Sequence, residues 1–142
     1  MKIIYLLLIG LFTTYVSLSQ DIKLSKGKVL CDGKEILSFT KEIFGEYQYH
    51  FFTLDSKEEI LFIKKNDNQT KTFDDDFTQI KFLQLGKMVE TRLDKPWKKY
   101  IEWLMQNKVL DNNGKLDEEK VNLFIKNYNE NITNRTINIK GN

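Results

Sequence analysis

Between residues 26 and 93 apolar and polar side chains alternate with the period of a β-strand, and between residues 95 and 128 they switch to the period of a helix. Lys28-Val29-Leu30-Cys31 and Lys34-Glu35-Ile36-Leu37-Ser38-Phe39 flank Asp32-Gly33. Asp-Gly supplies the two positive φ values of a type I′ turn, so this segment reads as a β-hairpin. In Tyr47 to Leu54, Tyr47, Tyr49 and Phe51 fall on one face, and His50, Phe52 and Leu54 fall on the other. Asp55-Ser56-Lys57 is turn material. Ile60 to Ile63 is an apolar run of strand length, ended by the polar stretch from Lys64 to Asn68. Phe77 to Leu85 and Met88 to Leu93 are two further runs, separated by Gly86-Lys87. Five or six strands joined by short turns predict an antiparallel meander.

The second half predicts two helices. Trp97, Tyr100, Ile101, Leu104 and Met105 recur at the spacing of one helix face, with Asp94 as the expected N-cap and Pro96 in the first turn. Asn112-Asn113-Gly114 interrupts the pattern. Asp117 then caps a second helix, whose apolar positions are Val121, Phe124, Ile125 and Tyr128. The expected fold is therefore α+β: a meander of five or six strands followed by a C-terminal pair of helices packed on one face. The polar tail from about residue 130 is expected to fray.

The N-terminus changes the picture. Lys2 precedes an apolar stretch, Ile3 to Leu18, that carries no charge, and Ser17 and Ser19 are small residues of the kind a signal peptidase reads. Residues 1–19 read as a cleavable signal peptide rather than an anchor, because the stretch is shorter than a membrane span and is interrupted by hydroxyls. Cleavage leaves residues 20–142 as one domain, with no stable membrane span, destined for the periplasm, cell envelope or extracellular space.

Composition excludes more than it selects. The chain of 142 residues holds 22 basic and 20 acidic residues, and only Arg92 and Arg135 are arginines. This balance argues against nucleic acid as a partner. A single cysteine, Cys31, permits no intramolecular disulfide, so the fold rests on packing, and Cys31 is either buried or able to pair between chains.

Candidate chemistry is sparse. His50 is the only histidine and reads as a packing or edge residue of its strand; the alternative is a thiolate–imidazole pair with Cys31, which would also need a third orienting group. Asp74-Asp75-Asp76 is the densest acidic cluster and reads as a solvated acidic turn; calcium is the alternative and would need several oxygen ligands there. Asp111 to Glu119 superficially resembles a calcium loop, but neither register around Gly114 supplies the ligand spacing. Tyr47, Tyr49, Trp97, Tyr100 and Trp103 are candidates for an aromatic platform for a sugar or a peptide, against their use as core. Trp103 lies off the stripe of its helix and is the candidate contact residue if exposed. Asn68, Asn131 and Asn134 head glycosylation-type triplets, which matter only in a eukaryotic secretory pathway.

The leader, the VLCDGKEI hairpin, the LDSKEEILFI segment and WLMQNKVLDNNGKLDEEKVNLFIKNYN together resemble small exported uncharacterised proteins of flavobacteria-like Gram-negative bacteria. The resemblance implies export and an α+β fold and carries no site residues. The expected role is non-enzymatic: binding, through contacts with another envelope or secreted protein, with no cofactor and no metal. An enzyme using Cys31 and His50, or a calcium-dependent module using Asp74 to Asp76, is the alternative.

Overall fold

The computed structural model describes residues 19–43, 47–67 and 76–134. Seven antiparallel strands form one sheet in sequence order: β1 (Ile22–Ser25), β2 (Lys28–Cys31), β3 (Lys34–Glu42), β4 (Gln48–Phe52), β5 (Glu59–Asn66), β6 (Phe77–Phe82) and β7 (Lys87–Thr91). Two helices follow, α1 (Trp97–Gln106) and α2 (Glu118–Tyr128). The fold is thus α+β with a meander.

The strand count is a correction. The expected five or six strands omit β1, which pairs with β2 through Ile22↔Cys31 and Leu24↔Val29. Its turn, Lys26-Gly27, has φ of +49° and +73°, the same left-handed pair as Asp32-Gly33 at +50° and +82°. β5 also runs further than expected. Its polar end, Lys64 to Asn66, stays in the ladder opposite Gln79, Thr78 and Phe77.

Cross-strand pairs place Tyr49, Phe51, Leu61, Ile63, Ile80, Phe82 and Val89 on one buried face. The opposite face carries a row across five strands: Thr40, His50, Phe62, Lys81 and Met88. Two bulges break the register. Ile36 is the extra residue between the pairs Val29↔Leu37 and Leu30↔Glu35, and Ile60 is the extra one between Phe51↔Leu61 and Phe52↔Glu59. A bulge re-aims the side chains beyond it. Ile36-Leu37 and Ile60-Leu61 are both buried in consequence, and Glu59 turns to the side of His50.

α1 lies against the buried face. Trp97 stacks on Tyr49 with centroids 4.1 Å apart, and Ile101 and Leu104 are fully buried. Phe124 of α2 lies edge-on to Phe82, with centroids 6.4 Å apart. Asp117 caps α2 as expected, accepting from the Lys120 amide at 3.0 Å. The expected cap of α1 is corrected: Pro96 is the N-cap, without a side-chain bond, and Asp94 pairs instead with Lys65.

Residues 129–133, just beyond α2, contact β7, and the tail from residue 135 lies outside the described residues. Glu130 donates its amide to the Glu90 carbonyl, Asn129 Oδ1 accepts from the Glu90 amide, and Ile132 is buried. These contacts occupy main-chain groups of β7, an edge strand that otherwise offers an unpaired ladder.

Candidate functional site

Cys31 and His50 do not meet. They lie on β2 and β4, with β3 between them, and face opposite sides of the sheet. Cys31 is 5% exposed, and burial, aided by the carboxylates of Asp32 and Asp21, pushes its thiol above the ordinary range. That disfavours the thiolate that nucleophilic chemistry needs.

His50 sits in a central strand with a partner the spacing did not suggest. Its Nδ1 lies 2.7 Å from Glu59 Oε1, and because a carboxylate only accepts, Nδ1 carries the proton of that bond. Nε2 is buried and makes no hydrogen bond; the nearest charged atom is Glu42 Oε1 at 3.9 Å. No hydroxyl or thiol among the described residues is bonded to Nε2, so the contact a nucleophile would need is not made.

Trp103 is corrected. It is 9% exposed and packs on Phe124 at 4.6 Å and Tyr128 at 4.8 Å. It lies off the sheet-facing stripe because it faces α2, so it forms the helix–helix contact rather than an exposed surface. Lys95 covers the ring from outside, with Nζ 5.2 Å from its centroid.

The acidic candidates separate. Asp74 and Asp75 fall outside the described residues, whereas Asp76 lines a cleft described below. Asp111 is a turn residue: its Oδ1 accepts from the amides of Asn113 and Lys115 at 2.8 and 2.9 Å. Among the described residues no three His, Cys, Asp or Glu side chains converge to hold a metal ion.

What the structure brings together is an aromatic cleft at one end of the sheet. It has a volume of about 560 Å³, within the range of small-ligand sites. Tyr47, Phe77 and Trp97 are among the residues that line it, from just before β4, the start of β6 and the first turn of α1. Lys65, Arg92 and Asp94 supply charge, and Asn66 supplies an amide. Two other clefts, of about 450 and 770 Å³, have no aromatic side chain in their linings.

The cleft is held by a fixed hydrogen-bond network. The Tyr100 hydroxyl donates to the Leu93 carbonyl at 2.9 Å and accepts from the Lys95 amide at 3.1 Å. Its one proton is therefore committed, and Thr78, 2.8 Å away and buried, must be the donor to it. Lys65 Nζ bonds Asp94 at 2.5 Å and lies 5.2 Å from the Trp97 centroid, a partly exposed cation–π contact. Arg92 pairs with Glu130 at 3.6 Å. Tyr47 is different: its ring is 53% exposed, while its carbonyl is fixed by the Lys65 amide at 3.0 Å.

Of the five aromatic candidates, then, Tyr47, Tyr49, Trp97 and Tyr100 do cluster at this end, and Trp103 does not. Arg92, Asn66 and Phe77 were missed. No helix among the described residues is long and apolar enough to cross a membrane. Compared with protein-family models, with curated proteins and with solved structures, the chain matches none.

Proposed function

We propose that this chain is an exported, non-enzymatic binding protein of the cell envelope or secreted space, and that it engages its partner through the Tyr47–Phe77–Trp97 cleft. The observation that carries the reading is the exposed Tyr47 ring above a network whose polar groups are already oriented. Preorganised groups lose little freedom on binding, which is what affinity requires. Export rests on the leader, residues 1–19, which lies almost wholly outside the described residues, and on the resemblance to exported proteins of flavobacteria-like bacteria. We read α1 and α2 as a pair on one face of the sheet, a reading supported by the Trp103–Phe124 contact; it would leave the cleft at the rim of that packing.

The partner on this reading is another envelope or secreted molecule. An enzyme using Cys31 and His50 is the competing reading, and the separation of the two side chains weighs against it. Calcium dependence through Asp74 to Asp76 remains a distinct proposal, tested by a shift in melting temperature with calcium or EDTA. The decisive test is a cross-linking pull-down of the tagged protein from its envelope fraction. Wild type and His50→Ala should retain the same dominant partner, and Tyr47→Ala should lose it. Loss of function in a folded His50→Ala protein would sink the binding reading. Export is tested by intact mass: a recovered protein that still includes residues 1–19 refutes cleavage.

A further inference from the structure

We infer that the cleft is a carbohydrate site that takes an uncharged sugar ring, an inference that rests on the cleft being the protein's binding site. The charges in its wall are the first reason. Lys65 is matched to Asp94 at 2.5 Å, and Arg92 to Glu130 at 3.6 Å. A small cation meets Lys65 and Arg92, and a small anion meets Asp67, Asp76 and Asp94, so neither sign has a favoured seat. A sugar hydroxyl suits the same wall, because it donates to a carboxylate while accepting from an ammonium or guanidinium.

The aromatic groups are the second reason. A pyranose ring has an apolar face of C–H groups above a polar rim of hydroxyls. Tyr47, 53% exposed and on a backbone anchored to β5, lines the cleft together with Trp97 and Phe77. A flat apolar surface ringed by fixed polar groups is complementary to that shape.

An extended peptide fits less well. β5 and β6 are paired on both sides, and main-chain groups of β7 are taken by Asn129 and Glu130, which leaves no clear ladder here for a peptide to join.

The test is calorimetric titration of the purified native protein with maltohexaose, cellohexaose, chitohexaose and mannopentaose, with hexagalacturonate as the charged comparator. At least one uncharged oligosaccharide should bind, and Tyr47→Ala should weaken it by about tenfold or more. Asp94→Asn, whose side chain is well exposed, provides a second variant that leaves the core alone. Its binding should weaken while its melting temperature holds. Absence of heat with every uncharged sugar at about 10 mM, a range that captures even millimolar affinities, overturns the inference. So does binding that Tyr47→Ala leaves unchanged, or binding of hexagalacturonate alone. The two readings fail differently. A captured protein partner that Tyr47→Ala releases, with no sugar bound, keeps the binding function and removes the carbohydrate. If the captured partner is a glycoprotein, its enzymatic deglycosylation should release it; a free polysaccharide is identified by binding of the soluble oligosaccharide alone.

Discussion

Gly114→Ala is a severe substitution for a reason that the structure makes quantitative. Gly114 closes the turn from Asp111 to Lys115 with φ of +75°, and the turn presses on the bulge of β3. A Cβ at this position would lie 2.3 Å from the Ile36 carbonyl oxygen and 2.9 Å from Leu37 Cδ2. Ordinary C···O contacts begin near 3.3 Å, so the turn must retreat by about 1 Å. Retreat strains the bonds from the Asp111 amide to the Lys115 carbonyl and from the Gly114 amide to the Asp111 carbonyl. The left-handed backbone costs an L-residue roughly 1–2 kcal/mol, and overpacking adds roughly 1–3 kcal/mol, so the expected loss is about 2–5 kcal/mol. Gly33→Ala is the internal control. Gly33 has φ of +82° but nothing within 4 Å of a built Cβ. It isolates the backbone cost, about 1–2 kcal/mol, reduced by the lower entropy of the unfolded alanine chain. Urea unfolding followed by tryptophan fluorescence reads both, because Trp103 is buried in the folded state. Equal losses for the two variants would refute the argument, since the close approach to Ile36 would then contribute nothing.

Three further outcomes follow from other contacts. Glu90 is 2% exposed; burial raises its carboxyl, but the Thr133 hydroxyl and amide, Gln79 and the Ile132 amide together outweigh that and hold it below the ordinary range. A depressed pKa stabilises the fold above the unfolded value near 4.3 and ceases to do so as pH falls through the folded value, so Glu90→Gln should flatten the loss of stability as pH falls below about 4.3. An acid limb unchanged by the substitution would refute it. Trp103→Ala should cost about 3–5 kcal/mol in chemical denaturation without affecting ligand affinity in the protein that remains folded; a loss under about 1 kcal/mol would contradict its burial between α1 and α2. The Cys31 thiol, buried and with a raised pKa, should react with a disulfide reagent only after urea unfolds the chain; full labelling of the native protein would contradict its placement.

Local patterns in the amino-acid sequence determined much of this fold. The Asp32-Gly33 turn, the faces of β4, the Asp117 cap and the helix stripe from Tyr100 to Met105 are all set by residues within a few positions of one another. β1 is legible too, because Lys26-Gly27 stands between Ile22–Leu24 and Val29 as Asp32-Gly33 stands between β2 and β3. Tertiary structure alone decided the rest. Trp103 is off its stripe by periodicity, and only the arrival of α2 shows that the off-stripe side is also covered. Asp94 looks like a cap until β5 brings Lys65 to it, 29 positions away in the chain. His50 acquires Glu59 because the Ile60 bulge shifts one register by a residue, and no local pattern announces a bulge of two apolar residues in an apolar run. The cleft is of the same kind. Tyr47, Asn66, Phe77, Arg92 and Trp97 come from five separate stretches, and only the pairing of β4 through β7 with α1 across their ends makes them neighbours. Periodicity reports what a residue does within its own element; a site assembled between elements depends on registers and crossings that the whole fold sets at once.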